Sequence, residues 1–224
     1  MRIPVFIIVR DRVKNLKEKL VPWLESTKQA QIMIVNNNST YPPLLEYLEK
    51  TKYRVYNLET NHSKWAPWKH DLVPKGGNFA VCDPDMIPME ECPLDALEYW
   101  VNALNDPKYK NYHSAGPAYR IDNLPEHYAG RREAVRWEAQ FWSKPLYGDQ
   151  TRCEFFEAPI DGAFEVFRPG GSIDATKPSI RSNYPYVFEH ETWYMDSNNM
   201  SEEDKWYRER CDVNRAHWIR EGEL

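Results

Sequence analysis

A short apolar run that ends in two aspartates constrains this chain more than any other feature of its sequence. Residues Phe79–Cys82 are apolar throughout, which is typical of a strand buried on both faces of a sheet. Pro84 has no amide hydrogen and a fixed φ, so a central strand cannot continue past Asp83. The sequence therefore predicts that Asp83 and Asp85 lie at the carboxyl end of a buried strand, where open α/β sheets bind their ligands.

Two carboxylates with one residue between them suit a hard divalent cation, and such a cation suits the charge of a diphosphate. The alternative is a pair of aspartates that only cap a solvated turn. Because a short motif of this kind often arises by chance, the rest of the chain has to decide between the two interpretations.

The first half of the chain alternates between strand and helix patterns. Apolar residues at helical spacing follow the first strand, with Asp11 as a candidate N-cap and Pro22 as the residue that ends or kinks the helix. Such an alternation predicts a parallel sheet with right-handed crossovers. The predicted elements, in order, are the strand Ile3–Val9, the helix Val13–Leu24, the strand Ile32–Val35, a helix from Pro42 to Leu48, the strand Tyr53–Leu58 and the strand Phe79–Cys82.

Polar residues follow each of these strands and are expected to meet at one edge of the sheet. The segments are Arg10–Arg12, Asn36–Thr40, Asn61–Lys64 and Asp83–Asp85. Neither of the two common glycine-rich phosphate-binding motifs is present, so the dinucleotide-binding and P-loop interpretations lack support.

The second half of the chain has a different character. Amphipathic helices are predicted at Pro93–Leu104, with Leu94 on the apolar side, and at Arg131–Trp142, and Ser201 is predicted to cap a last helix. Short strands are predicted at His113–Ile121, Phe155–Ile160, Ala163–Phe167 and Ser179–Tyr186. No linker or internal repeat separates the two halves, which favours a single domain.

Composition argues against several classes of function. The formal net charge is −5 and no basic run stands out, which argues against nucleic acid as the main partner. The longest apolar run, Ile3–Val9, is too short to cross a bilayer, so no transmembrane segment is predicted. The four cysteines form no C-x-x-C pair, which favours reduced thiols in a cytoplasmic protein, with peripheral contact to a membrane left open.

The strand that ends in Asp-x-Asp, within an alternating first half, resembles the GT-A glycosyltransferases. Three later segments extend the resemblance to small GT-A enzymes of bacteria and to the N-terminal glycosyltransferase domain of a chlorella-virus protein. They are Arg120–Pro125, Ala158–Phe164, and Ser179–Arg181 leading to His190 and Trp193–Tyr194. The resemblance implies a single GT-A domain with a Rossmann-like, mostly parallel central sheet flanked by helices. Residues 1–92 would form the nucleotide-binding half, and residues 93–224 the acceptor-binding half with the C-terminal helix.

The same resemblance implies a metal-dependent hexosyltransferase. It would take a sugar from a nucleotide, with a UDP-sugar as the expected donor, and pass it to a hydroxyl of a glycan or glycolipid. Mn²⁺ or Mg²⁺ is the implied cofactor, with Asp83, Asp85 and His190 as the implied metal residues. Asp85 is the expected direct ligand, whereas Asp83 is expected to reach the ribose or a metal-bound water. Asp161 is the implied catalytic residue, either as the base for the acceptor hydroxyl or as an acid that faces the donor sugar.

Further candidates fall into two groups. In relatives an aspartate often stands where this chain has Asn36, and the change removes a charge near the base and ribose. The residues expected to contact the nucleotide are Arg10, Asp11, Arg12, Asn36, Asn38, Trp65, Asp83 and Asp85. Those proposed to contact the acceptor or its sugar are Arg120, Asp122, Glu138 and Trp142, for which ordinary salt bridges and packing are the alternative.

Two other functions compete with this interpretation. A sugar-nucleotide pyrophosphorylase would need a glycine-rich loop with a basic residue after the first strand, and Arg10–Asn15 contains no glycine. A non-catalytic carbohydrate-binding module would use the surface of some of the nine tryptophans, and would bind glycan without nucleotide or metal.

Overall fold

A mixed sheet forms the centre of the molecule. The computed structural model describes residues 2–160, 162–174, 176–211 and 218–219, and within these ranges ten strands form one sheet. The strands are β1 (Ile3–Val9), β2 (Ala30–Asn36), β3 (Arg54–Asn57), β4 (Phe79–Cys82), β5 (Met86–Pro88), β6 (Ser114–Tyr119), β7 (Pro145–Leu146), β8 (Phe155–Glu157), β9 (Phe164–Phe167) and β10 (Ser179–His190). Their spatial order is β3-β2-β1-β4-β9-β6-β10-β8-β7, and β5 pairs with β10.

The first half of the chain forms the parallel part of the sheet. Strand β1 pairs in parallel with both β2 and β4, and β2 pairs in parallel with β3. Strands β2 and β3 therefore lie on one side of β1, and the chain then crosses back so that β4 lies on the other side of β1. The carboxyl ends of β1 and β4 flank this reversal, which is the position where open α/β sheets form a ligand crevice.

The second half departs from the predicted mostly parallel sheet. Strand β9 runs antiparallel to both of its neighbours, β4 and β6, and β10 is antiparallel to β5 and β8. Only the β6–β10 pair restores a parallel contact there. The prediction of an α/β single domain is confirmed, but the sheet is mixed, because β9 enters between β4 and β6 in the opposite direction and β5, β7 and β8 also pair only antiparallel.

Helices cover the sheet. After a π-helical segment, Leu16–Leu20, the helices are α1 (Val21–Ser26), α2 (Pro42–Lys50), α3 (Ala66–Lys69), α4 (Ala96–Asn105), α5 (Arg131–Ala139) and α6 (Glu202–Arg210). The predicted cap of the last helix is confirmed, because the Ser201 hydroxyl accepts a hydrogen bond from the amide of Asp204. Every helix in the described part of the chain is too short or too polar to cross a lipid bilayer.

Pro22, predicted to end or kink the first helix, stands where π-helical geometry changes to α-helical geometry, since its ring and missing amide hydrogen disturb the turn before it. Two details of the helix predictions were wrong. Asp11 does not cap the first helix, whose N-cap is Asn15. Leu94 is half exposed, because α4 begins only at Ala96.

Strands β1, β2 and β4 bury both faces, as their continuous apolar runs predict. In β1, Val5, Ile7 and Val9 belong to the larger core cluster, while Phe6 and Ile8 belong to a smaller cluster on the opposite face. This alternation follows from the two-residue period of a strand. Because both faces are covered, polar residues of these strands can reach solvent only at the strand ends.

Gly116 in β6 is required by close packing. A Cβ atom at this position would lie 2.3 Å from the carbonyl oxygen of Phe164, which starts β9. Backbone atoms of a central strand cannot move aside without disturbing the sheet. This contact therefore sets how closely β6 and the start of β9 can approach each other.

We expect the substitution Gly116→Ala to lower the free energy of unfolding by about 2 kcal/mol or more, as overpacking against backbone does. Urea denaturation measured by far-UV circular dichroism tests this. Gly76→Ala is the matched control, because a Cβ atom there meets nothing within 4 Å, and its effect is expected to stay within about 0.5 kcal/mol. Equal effects of the two substitutions would contradict the packing argument.

Candidate functional site

A cleft of about 550 Å³ opens at the carboxyl ends of β1 and β4. It collects side chains from the ends of several strands and from the C-terminal region. Its ionisable lining comprises the carboxylates of Asp83 and Asp85, the cations of Arg10, Arg12, Lys64 and Lys69, and the imidazoles of His62 and His190. Because basic side chains outnumber the carboxylates, the cleft suits an anionic ligand.

Asp85 is bound by two side chains that are distant in sequence. Its Oδ2 atom accepts hydrogen bonds from Arg12 Nη1 at 3.1 Å and from Thr192 Oγ1 at 2.7 Å. Arg12 Nη1 also donates to Thr192 Oγ1 at 2.7 Å. Residues at the ends of β1, β4 and β10 therefore meet at one carboxylate oxygen.

The charge state of Asp85 follows from these contacts. Burial alone would raise the pKa of Asp85, but the positive charges of His190 and Arg12 and the hydrogen bond from Thr192 hold it below its usual value. Asp85 is therefore an ionised carboxylate in a largely buried place, and an ionised carboxylate is the form that binds a metal ion.

Arg12 also connects the cleft to helix α6. Its Nη2 atom donates to Asp204 Oδ1 at 2.6 Å, and its guanidinium lies 5.1 Å from the centre of the Tyr207 ring. Glu203, the neighbour of Asp204, accepts hydrogen bonds from the backbone amides of Val13 and Lys14 at 2.6 and 3.1 Å. Two acids of α6 thus bind the chain just after β1.

The backbone of Asp83 contacts the second half of the chain. Its amide donates to the carbonyl of Ala163 at 2.8 Å, and its side chain lines the cleft. Asp161, the predicted catalytic residue, lies outside the described residues. Its described neighbours Ile160 and Gly162 lie in the same connection between β8 and β9.

His190 is brought to the same cleft as the two aspartates. It ends β10, and its ring stacks on Trp193 with centroids 4.7 Å apart and planes 16° from parallel. Even so, no three histidine, cysteine, aspartate or glutamate side chains converge on a common metal position in the part of the chain that the structure describes.

The donor chemistry nevertheless fits one kind of metal site. Mg²⁺ and similar hard cations in nucleotide sites use one or two carboxylates, and phosphate oxygens and waters complete the coordination shell. Asp83 and Asp85 supply carboxylate oxygens in a cleft lined by cations, and Asp85 is held ionised. The residues therefore fit an ion that binds together with a diphosphate, and do not form an all-protein cage.

The asparagines after β2 have different roles, since some stabilise the local backbone and one lines the cleft. Asn36 donates to Asn57 Oδ1 at 2.9 Å and accepts from the amide of Ser39, and Asn38 is exposed with a φ of 62°. Asn37, which the sequence interpretation passed over, is the asparagine that lines the cleft. Its side chain donates to Asn61 Oδ1 at 2.7 Å and accepts from the amide of His62 at 2.8 Å.

The three residues predicted at the end of β1 have different roles. Arg10 and Arg12 both line the cleft, but the guanidinium of Arg12 is already paired with the carboxylates of Asp85 and Asp204. Asp11 is buried, and its Oδ1 atom accepts from the backbone amides of Thr40 and Tyr41 just before α2. Asp11 therefore stabilises the entry to α2 rather than facing the cleft. Trp65 lines the cleft as predicted and is 39% exposed.

The four acceptor candidates lie away from this cleft lining. Arg120 and Asp122 form an exposed ion pair, with Nε and Oδ1 2.7 Å apart. Trp142 donates to the carbonyl of Tyr119 and stacks on the half-exposed ring of Tyr184 at a centroid distance of 5.7 Å. Glu138 is buried and paired with Arg181.

Several residues of the cleft could not be recognised from the sequence. Lys69 and Thr192 follow no recognisable motif, and both reach the cleft because of how the chain folds. Glu203 and Asp204 stand in the first turn of α6, where acids commonly complement the helix dipole. Their contacts with residues 12–14 depend on how α6 packs, which the sequence pattern does not encode.

The comparisons with known proteins concern the fold alone. No protein-family model matches the sequence, and a search of curated proteins finds no match. Among solved structures, the chain is similar to a mannosyltransferase from Pyrobaculum calidifontis, PcManGT, solved in complex with GDP-Man and Mn²⁺. The TM-score is 0.51 and the identity 14%; the match covers all of this chain and 65% of the mannosyltransferase chain. The chain thus has a glycosyltransferase-like, GT-A-like α/β fold and spans about two thirds of the length of the structure that it resembles.

Proposed function

We propose that this protein is a glycosyltransferase that moves a sugar from a nucleoside diphosphate sugar to a hydroxyl group of a glycan or glycolipid. The observation that carries the proposal is the charged cleft at the β1/β4 reversal. There Asp83 and Asp85 lie among basic side chains, at the position where open α/β sheets bind nucleotides. The likeness of the fold to a mannosyltransferase supports the same conclusion.

Binding of the donor would use both signs of charge in the cleft. The cations of Arg10, Lys64 and Lys69 attract the diphosphate, and Trp65 offers a ring to the nucleoside. Asp83 and Asp85 are the proposed holders of Mn²⁺ or Mg²⁺, with His190 beside them. When bound, such an ion supplies positive charge that stabilises the leaving diphosphate.

Two nucleotides, UDP and GDP, are candidates for the donor. The sequence resemblance favours a UDP-sugar, whereas the similar mannosyltransferase was solved with GDP-Man. We propose a UDP-sugar as the donor and treat GDP as the alternative that the first experiment decides.

The acceptor would bind on the second half of the chain. We propose Asp161 as the group that accepts the proton of the attacking hydroxyl. The exposed Arg120–Asp122 pair and the stacked rings of Trp142 and Tyr184 offer the mixture of charge and aromatic surface that sugars bind. Glu138 is buried and therefore has no proposed contact with a sugar.

We expect UDP or GDP together with Mn²⁺ to stabilise the protein, because a ligand that binds only the folded state adds RT ln(1 + [L]/Kd). At a ligand concentration of about 100 Kd this is about 2.7 kcal/mol, or a rise in Tm of roughly 5–10 °C for a chain of this size. Thermal-shift measurements with each nucleotide, with and without Mn²⁺, test this. Stabilisation by free oligosaccharide alone, with none by nucleotide and metal, would instead support a carbohydrate-binding module.

The substitution Asp85→Asn should remove the Mn²⁺-dependent part of nucleotide affinity, since it replaces an ionised carboxylate with a neutral amide of the same shape. Isothermal titration of UDP or GDP at several Mn²⁺ concentrations measures the effect. Asp149→Asn, on an exposed loop, is the matched control and is expected to bind like the unsubstituted protein. Retained metal-linked binding in Asp85→Asn would exclude Asp85 as a metal ligand.

The substitution Asp161→Asn should slow transfer by about 10²–10⁴-fold, which is the usual contribution of a general base, and leave nucleotide binding unchanged. Initial rates with a panel of nucleotide sugars, followed by release of the nucleoside diphosphate, give the comparison. An unchanged kcat would return Asp161 to the role of an ordinary turn residue.

A further inference from the structure

Three charged side chains are buried in the second half of the chain, and the proposed function does not use them. Glu138, Glu165 and Arg181 are each at most 3% exposed. Burying charges is costly unless each one is paired and hydrogen-bonded, and a buried ion pair on its own adds little stability. The backbone groups that these side chains bind therefore indicate their role.

Glu138 and Arg181 form one unit. Glu138 Oε1 is paired with Arg181 Nη1. The guanidinium lies 4.5 Å from the centre of the Tyr119 ring, at the end of β6, and 4.4 Å from that of Phe141. Its Nε atom donates to the carbonyl of Pro159 at 2.7 Å. The pair thus ties the chain after β8 to the end of β6.

Glu165 binds the same connection from its other end. Its Oε2 atom accepts from the amide of Gly162 at 2.9 Å, and its Oε1 atom accepts from the hydroxyl of Ser114 at 2.5 Å. Gly162 has a φ of +79°, and a Cβ atom there would lie 2.7 Å from Ile173 Cδ1. The backbone at Gly162 is therefore held in a conformation that only glycine adopts easily.

The connection that they hold reaches the candidate site. We call the described residues 158–160 and 162–163 the β8–β9 turn. The carbonyl of Ala163 accepts from the amide of Asp83 at 2.8 Å. The β8–β9 turn is thus bound at Pro159, at Gly162 and at Ala163, and the last of these contacts is with an aspartate of the cleft.

We propose that Glu138, Arg181 and Glu165 are positioning residues that hold the β8–β9 turn against the end of β4, so that the second half of the chain meets the donor cleft in a fixed geometry. The inference rests on the proposed glycosyl transfer for its functional consequence. Loss of any one contact should loosen the turn and slow transfer, because small misplacements of reacting groups cost large factors in rate. It should not weaken donor binding, since none of the three residues lines the cleft.

The first test is hydrogen–deuterium exchange. Glu165→Ala removes the acceptor of the Gly162 amide, so exchange in peptides that cover residues 162–164 and Asp83 should become at least about tenfold faster. Glu165→Gln keeps an oxygen acceptor and should exchange like the unsubstituted protein. Peptides from α2 serve as the internal control and should not change. Unchanged exchange at Gly162 and Asp83 in Glu165→Ala would overturn the proposal.

The second test separates positioning from stability. The double substitution Glu138→Leu with Arg181→Met replaces the buried pair by apolar groups of similar volume, a change that often leaves stability intact. It removes the contact with Pro159, so we expect kcat to fall at least tenfold while KM for the donor and Tm stay near their original values. Adding Glu165→Ala should cause little further loss, because both changes release the same turn.

Two outcomes distinguish this inference from the proposed function. If the unsubstituted protein binds no nucleotide and turns over no donor, the proposed function fails, while the exchange measurements still decide whether the three residues hold the turn. If transfer is observed but the double variant and Glu165→Ala keep the full kcat, the three residues are ordinary core residues and the inference fails alone.

Discussion

The ion pair between Arg12 and Asp85 is the interaction on which the candidate site depends. An ionised aspartate at the end of a buried strand is costly unless a partner compensates its charge. Arg12 supplies that partner across a gap of 73 residues in sequence, and Thr192 donates a second hydrogen bond. The same guanidinium binds Asp204, so one cation both neutralises the charge of Asp85 and fixes the position of α6. No described residue of α6 is fully buried, and the helix is held by these charge contacts together with Tyr207, which packs against the larger core cluster.

The two halves of the sheet contribute different parts of this arrangement. The parallel strands β3-β2-β1-β4 bring polar strand ends to one edge and leave a crevice where the strand order reverses. The mixed half returns β9 beside β4, which carries the β8–β9 turn to the amide of Asp83. Buried charged groups hold that turn at Pro159 and Gly162. The candidate cleft and the segment beside it are therefore joined through backbone contacts.

Much of the first half could be predicted from the sequence. Strand β4 ends at Cys82, and α2 begins at Pro42, because proline restricts the backbone in the same way in any fold. The antiparallel strands of the second half could not be predicted, because short apolar pieces such as Phe164–Phe167 do not encode their direction. Glu138 was proposed to contact the acceptor, with a salt bridge as the alternative, and its burial depends on Arg181, a residue of another element.

The sequence by itself determined where the strands of the first half stop, and therefore that Asp83, Asp85 and the residues after β1 share one edge. The reason is local: the apolar runs and Pro84 restrict the chain whatever surrounds them. Only the tertiary structure decided the partners of each side chain. Arg12 was expected to contact the nucleotide, and the structure pairs it with Asp85 and with Asp204, the latter 192 residues away. Contacts of this kind depend on how separate elements pack, and no spacing in the sequence records them.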